Sequence, residues 1–347
     1  MQSVPQRLSR TSPPVASDWN SRRLARQAFS LIELMIVITI IAILMSLLLV
    51  GVQAARTAAR VASVTVEFKN MEKSIADFKA KFGSEPPSGI VLFEAIAGWT
   101  GSTPSAAAVS RSRALIRQIW PDFDFTIARD INGDGDMTDT ITLNGAECLV
   151  FFLGGVNSTN VVDRTGATIG TVGAPITSWA PLGFSTNPLN PFARGGSRLE
   201  PYHDFNIGRL INRDGATDAE GFPEYLDPLP GQLNPILYAS SYGGKGYRDA
   251  DVQLTGTPVP YDAYATPPTV FSYPYRRYTG TTYPASVANF TAAPAFNAKS
   301  CQLISPGVDG EYGWGGVLNT GMELIEPRPE RSPERDNITN FKGGTLN

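Results

Sequence analysis

The sequence predicts an α+β protein in which a long N-terminal helix packs on an antiparallel β-sheet, with an enlarged loop region between helix and sheet. Two observations indicate this class. An apolar run from Phe29 to Val52 continues, without a helix-termination signal, into an amphipathic stretch that ends at Phe82. The chain of 347 residues also contains 18% charged side chains, 33 glycines and 27 prolines. This composition favours a loop-rich, β-containing globule over a helical bundle or a disordered chain.

The apolar run is long enough to be a membrane-spanning helix. No charged side chain occurs from Leu34 to Val52. With the four residues before Glu33, the run crosses a hydrocarbon core of about 30 Å at about 1.5 Å per helical residue. Three arginines precede it: Arg22, Arg23 and Arg26. Because positively charged flanks remain on the cytoplasmic side, the N-terminus is predicted to be cytoplasmic.

Glu33 is the one charge inside this run, and a carboxylate in hydrocarbon costs a few kcal/mol, so it needs a partner or a function. The segment from Ala28 to Glu33, AFSLIE, resembles the processing site of type IV pilins and type II secretion pseudopilins. The resemblance implies that a prepilin peptidase cleaves between Ala28 and Phe29 and that the new amino group of Phe29 is methylated. The family usually has glycine before the cleaved bond, and Ala28 is a departure that keeps a small residue.

The resemblance implies that Glu33 acts in assembly. In a filament core its carboxylate can neutralise the amino group of Phe29 on the same or a neighbouring subunit, which would set the axial register. Two alternatives remain for the run. It can be a plain membrane anchor, or a secretory signal peptide cleaved after the small-x-small sequence at 52–54, although signal peptides normally have an apolar core of about 7–15 residues without an acid.

Beyond Val52 the helix is predicted to continue to Phe82 as an amphipathic segment. Apolar residues recur at steps of three and four, which places them on one face. They are Val61, Val64, Phe68, Met71, Ile75, Phe78 and Phe82. Gly83, followed by two prolines at 86 and 87, ends the helix. A coiled coil is the less favoured alternative, because the pattern lasts only about three heptads.

These boundaries divide the chain into four segments. They are a leader removed by the peptidase (1–28), a transmembrane or filament-core helix (29–52), an amphipathic helix (53–82) and a periplasmic globular domain (83–347). The globular domain is divided into a loop insertion at about 83–224 and a C-terminal sheet with a calcium-like loop at about 225–347. Within the insertion, 107–120 predicts a short helix and 147–152 predicts a buried strand or short helix.

A loop rich in oxygen ligands follows at 130–136. Asp130, Asn132, Asp134 and Asp136 alternate with a glycine at the sixth position, which is the pattern of a calcium loop. The twelfth position is Ile141, where an EF-hand has a glutamate, although Thr138 and Asp139 can complete a looser site. An Asx-rich turn without a metal is the alternative.

Four C-terminal stretches, in two pairs, are similar to parts of the major pseudopilins of type II secretion. They are YLDP at 225–228 with NPILY at 234–238, and LISPGVDGE at 303–311 with DNITNF at 336–341. The family's aromatic and glycine after the first proline are replaced by Leu229 and Pro230. Because the corresponding loop of those pseudopilins binds calcium, the resemblance implies Asp309 and Asp336 as ligands. Glu311 is added as a nearby carboxylate; a type I turn and a helix cap are the alternatives for this segment.

Other residue types limit the possible functions. The two cysteines, Cys148 and Cys301, form either one disulfide or two buried thiols. The one histidine, His203, has no neighbouring histidine or cysteine for a zinc site, so it is expected on the surface or packed. A net charge of -3 gives no indication of nucleic-acid binding. Catalysis is not expected, since no hydrolase or nucleotide-loop pattern occurs.

The predicted function is that of a structural subunit of a type II secretion pseudopilus. The subunit is expected in the inner membrane as a single-pass protein, and in a homo-oligomeric filament after assembly. Its expected partners are other pseudopilins, the inner-membrane assembly platform and the prepilin peptidase; calcium is the expected cofactor. A type IV pilus subunit for adhesion or motility, or a secreted binding protein, are the alternatives.

Overall fold

The computed structural model describes residues 30–133, 135–157, 180–211, 222–248, 273–280, 293–313, 315–325 and 329–346. The chain divides into two compact units, Met1–Ala54 and Ala55–Asn347. The α-helices are α1 (Leu31–Phe82), α2 (Ala106–Ile119) and α3 (Gly145–Gly154). The strands are β1 (Ile90–Phe93), β2 (Thr140–Leu143), β3 (Leu210–Ile211), β4 (Glu224–Tyr225), β5 (Leu237–Ser240), β6 (Tyr273–Arg277), β7 (Cys301–Ser305), β8 (Gly315–Leu318) and β9 (Ile338–Thr339). Short 3-10 helices cover Ile96–Thr100, Ile207–Arg209 and Pro329–Asp336. The predicted α+β class is confirmed.

The described part of the first unit is the apolar half of α1. Its side chains from Leu31 to Leu49 are exposed throughout. Among the described residues, α1 is the one helix long and apolar enough to cross a membrane, with a mean hydropathy of 3.0 over its most apolar window.

In the second unit, residues 55–82 of α1 bury the predicted stripe. Val64, Phe68, Met71, Ile75 and Phe78 are at most 3% exposed, and the two residues at the ends of the stripe, 61 and 82, are partly buried against the same core. The helix ends as predicted: Gly83 has a positive φ of 75°, and its N–H donates to the carbonyl of Lys79 at 2.8 Å. Glycine adopts this left-handed conformation without a steric penalty.

Two shorter helices lie between α1 and the C-terminal strands. Ser105 caps the start of α2, because its hydroxyl accepts the N–H of Ala108. The ambiguous segment at 147–152 is helical and belongs to α3, because Asn144 and Glu147 form a capping box at its start. All ten residues of α3 are buried, so this helix lies in the core. In its described residues, the region predicted as a loop insertion therefore contains α2, α3, β1, β2 and β3.

The strands of the described residues form four small sheets rather than one. β1 pairs with β2, β3 pairs with β4, and β5, β7 and β9 form a three-stranded sheet; all of these pairs are antiparallel, as predicted. β6 and β8 differ from these pairs, because they are parallel. Parallel strands need a long connection between them. Here that connection includes β7, which lies in another sheet.

The two cysteines are free, buried thiols rather than a disulfide. Cys148 belongs to α3 and Cys301 begins β7. Burial, with the nearby Glu85 carboxylate, raises the pKa of the Cys301 thiol to about 12. A thiol of this kind stays protonated and packs as a small apolar side chain.

Candidate functional site

The first turn of α1 contains a capping box that the sequence analysis missed. The backbone N–H of Ser30 donates to Oε2 of Glu33 at 2.9 Å, and the N–H of Glu33 donates to Oγ of Ser30 at 3.2 Å. Serine followed three residues later by glutamate, directly before an apolar run, predicts this arrangement. Ala28 and Phe29, the predicted cleavage and methylation positions, lie outside the described residues.

The capping box gives Glu33 a local role at the start of the helix. Its carboxylate lies among the unpaired N–H groups of the first turn, where the helix dipole is positive. All the atoms of this box are exposed. The carboxylate therefore remains accessible to another donor.

The C-terminal loop brings Asp309 and Asp336 together. Oδ2 of Asp336 accepts the backbone N–H of Asp309 at 2.9 Å and also that of Val308. Oδ1 of Asp309 accepts the N–H of Glu311 at 2.8 Å. Only glycine fits at position 307, because its φ is +72° and a Cβ would overlap the Asp336 carbonyl.

Two buried oxygens at this loop have no hydrogen-bond partner among the described residues. They are Oδ1 of Asp336 and Oε1 of Gln232. Gln232 is 8% exposed, and its Nε2 donates to the carbonyl of Gly307. A Cβ placed on Gly310 would lie 3.5 Å from Oε1 of Gln232, so this oxygen faces the loop. Sequence reasoning missed Gln232 because only the tertiary fold brings it to the loop.

The electrostatics of the same loop favour a cation. Burial, and then the carboxylates of Asp336 and Glu311, raise the pKa of Asp309 to about 6, although the N–H of Glu311 opposes the shift. Hard cations such as Ca²⁺ bind carboxylate and amide oxygens. The residues present therefore fit such an ion, with Asp336 and Gln232 offering unused oxygens.

Both carboxylate oxygens of Asp130, the first residue of the earlier acidic loop, already accept hydrogen bonds from the backbone of that loop. Oδ1 accepts the N–H of Gly133 at 2.5 Å and Oδ2 accepts that of Gly135 at 3.2 Å. The guanidinium of Arg194 lies 3.4 Å from Oδ1. This is the geometry of an Asx-rich turn at that position. Asp134 lies outside the described residues.

A different set of carboxylates converges beside this turn. One carboxylate oxygen from each of Glu94, Asp136 and Asp139 lies within 4.8 Å of the other two. Glu94 follows β1 and is fully buried; its two oxygens accept the backbone N–H of Ile131 at 2.6 Å and of Asp139 at 3.3 Å.

Burial raises the pKa of Glu94 to about 7, although backbone N–H groups favour its charged form. The side chain of Asn132, a predicted calcium ligand, contacts this cluster, because its Nδ2 donates to Oδ2 of Asp139 at 2.9 Å. Sequence spacing suggested Asp136 and Asp139, but not Glu94, which lies more than forty residues earlier.

The single histidine, His203, lies in the segment before β3 and packs against α1. Nδ1 of His203 lies 3.1 Å from Oγ of Ser74, and its Nε2 lies 3.7 Å from Oε1 of Glu67. Arg209 contacts the same carboxylate at 3.0 Å. Burial opposes the shift, but His203, Arg209 and Tyr225 together lower the pKa of Glu67 to about 2. Glu67 therefore links residues 55–82 of α1 to the segment from His203 to Arg209 within the second unit.

The N-terminal helix of this α+β fold is apolar and exposed over its first half, and it buries one stripe of its second half in the core. Residues 23–49 match the family model described as the prokaryotic N-terminal methylation motif. The matched motif supports a protein of the type IV pilin or pseudopilin type. No curated protein and no solved structure matches it.

Proposed function

We propose that this protein is a pseudopilin, a structural subunit of the pseudopilus of a type II secretion system. The leader at 1–28 is removed by a prepilin peptidase, Phe29 becomes the N-methylated end, and the helix at 29–52 forms the filament core. The globular part lies in the periplasm before and after assembly. The observation that carries this proposal is the methylation motif at residues 23–49 on a helix whose apolar half is exposed.

The exposed apolar half of α1 supports assembly, because such a surface needs lipid or other copies of itself around it. The same face serves both states: lipid covers it in the membrane, and neighbouring helices cover it in a filament. Partners of the subunit are then further copies, other pseudopilins and the inner-membrane assembly platform.

The capping box supports a two-state role for Glu33. Before cleavage, its carboxylate caps the helix through Ser30. After cleavage, a charged amino group appears on Phe29, directly before Ser30. An ion pair between that amino group and Glu33 is favoured inside a filament core, where an unpaired charge is costly.

Mass spectrometry of the mature N-terminus tests the proposal. The chain is co-expressed with a prepilin peptidase, and we expect a mature form that begins at N-methylated Phe29. The control is the same expression without the peptidase, which should retain residues 1–28. A mature end near Ala55 would instead identify a signal peptide and would refute the proposal.

The secretion system, rather than a type IV pilus, is favoured by the C-terminal loop. A pilus subunit would be favoured by a C-terminal disulfide loop, whereas Cys148 and Cys301 are free. Deleting the gene separates the two: loss of protein secretion supports the pseudopilin, and loss of surface pili with normal secretion supports the pilus subunit.

We further propose calcium at two loops. Asp309, Asp336 and Gln232 supply oxygens at the first, with Glu311 as a further carboxylate. At the second, Asp136 and Asp139 act with Glu94, while Asp130 shapes the turn. A bound divalent cation would neutralise the carboxylates that lie together in each loop.

A further inference from the structure

Two arginines lie on α1 immediately beyond its apolar half. Arg56 and Arg60 are both exposed. Val52 is the last residue of the apolar run, so the arginines are four (56 − 52) and eight (60 − 52) residues beyond it. From Leu34 to Val66 they are the only charged residues.

This arginine pair has no carboxylate partner in the part of the chain that the structure describes. The positions three and four residues away from either arginine hold no acid. The next acid along the helix is Glu67, which is already bound to Arg209 at 3.0 Å. Arg56 and Arg60 are themselves four residues apart, a spacing at which like charges repel across one helical turn. An anion bound between them would remove that repulsion.

The distance of the two arginines from the apolar run indicates that this anion is a lipid headgroup. At about 1.5 Å per residue, Arg56 lies about 6 Å and Arg60 about 12 Å beyond the end of the apolar run. The polar headgroup layer extends about 5–8 Å beyond the hydrocarbon core on each side. Arg56 is therefore at headgroup depth, and the long side chain of Arg60 can extend back towards it.

The side chains around the arginines leave room for a headgroup. The surrounding residues are mostly alanine: Ala54, Ala55, Ala58, Ala59 and Ala62. All of these positions are exposed. A guanidinium group forms paired hydrogen bonds with phosphate oxygens, which suits it to a phospholipid phosphate.

We propose that Arg56 and Arg60 form a binding surface for the phosphate groups of anionic phospholipids in the non-cytoplasmic leaflet. The inference rests on the proposed membrane insertion of residues 29–52. The bound lipid sets the depth of the subunit in the bilayer. Extraction of the subunit into a filament then requires that these contacts be released.

The test uses the full-length chain, reconstituted into vesicles of phosphatidylcholine that contain a minor fraction of phosphatidylglycerol. After mild detergent extraction, mass spectrometry measures the ratio of the two phospholipids that remain bound. We expect enrichment of phosphatidylglycerol by the wild type. In the R56Q/R60Q variant this enrichment should fall by a factor of about five for each arginine replaced.

The matched control is K73Q/K81Q, which removes two positive charges from the same helix at exposed positions farther from the apolar run. It should enrich phosphatidylglycerol as the wild type does. An additional arm adds inorganic phosphate. Competition by millimolar phosphate would show that a free anion suffices and would overturn the lipid assignment.

Unchanged enrichment in R56Q/R60Q, or an equal loss in K73Q/K81Q, overturns the inference and leaves the proposed function intact. The inference is also overturned, and the proposed function kept, if R56Q/R60Q retains its lipid but no longer associates with other copies. The partner of the two arginines would then be a second subunit. A wild-type chain that does not float with vesicles would overturn the inference and the proposed membrane insertion together.

Discussion

Replacing Asp227 by asparagine tests whether one buried carboxylate makes the stability of the globular unit depend on pH. Asp227 is 1% exposed. One of its oxygens accepts the N–H of Leu229 at 2.9 Å, and the other accepts the hydroxyl of Ser305. Burial is the largest cause that shifts its pKa, and it raises the pKa from 3.8 to about 6 in spite of both hydrogen bonds.

The expected change in the free energy of unfolding follows from this pKa shift. Between about pH 4 and pH 6 the folded protein holds a proton on Asp227 that the unfolded chain has released, so the free energy of unfolding falls as pH rises. A shift of about 2 pKa units corresponds to about 3 kcal/mol. Asparagine has the same shape, accepts the same N–H of Leu229 and carries no charge. We therefore expect D227N to match the wild type near pH 4 and to be up to about 3 kcal/mol more stable at pH 7.

The assay is chemical denaturation of the unit from Ala55 onward, followed by circular dichroism at several values between pH 4 and pH 8. A chelator is present throughout, so that cations at the neighbouring loop do not contribute. The control is D122N, which removes the same charge at an exposed position. The reasoning is refuted if D227N and wild type show parallel pH profiles, or if D122N gains as much stability at pH 7.

Three further predictions follow from the same structure. Glu33→Ala should still be cleaved before Phe29 but should not assemble, because the new amino group lacks its partner; normal filaments in electron micrographs would contradict this. Asp336→Asn should reduce the rise in melting temperature on adding calcium, while keeping the calcium-free melting temperature; an unchanged calcium response would exclude this loop as a site. Phe78→Ala, which truncates a fully buried ring, should lower the free energy of unfolding by about 3–5 kcal/mol, whereas Val66→Ala, at an exposed position of the same helix, should change it little in the same denaturation assay.

Local patterns predicted the helical part of the protein well. The apolar stripe from Val64 to Phe78 and the glycine stop at Gly83 depend on residues within a few positions of one another, so a period of 3.6 residues is enough to find them. The capping box of Ser30 and Glu33 was equally visible in the sequence. The resemblance to a processing site directed attention to a role in assembly, and the local hydrogen bonds were missed.

The two acidic loops show where local patterns fail. Spacing alone grouped Asp130 with Asp136. In the structure, however, the carboxylate of Asp130 accepts hydrogen bonds from the loop backbone and pairs with Arg194. Glu94 reaches Asp136 because β1 and β2 are paired neighbours in a sheet. The register of that pairing depends on packing that involves the whole core, which no window of sequence contains.

The sequence by itself determined the long helix, its apolar and amphipathic halves, and the processing motif, because each depends on contiguous residues whose hydrophobicity and charge act locally. Only the tertiary structure decided that the two cysteines remain thiols, that β6 and β8 pair in parallel, and that Gln232 and Glu94 join the two acidic loops. These outcomes depend on contacts between residues distant in sequence. Burial also raises the pKa of Asp227 and Glu94, and burial exists only once the chain has folded.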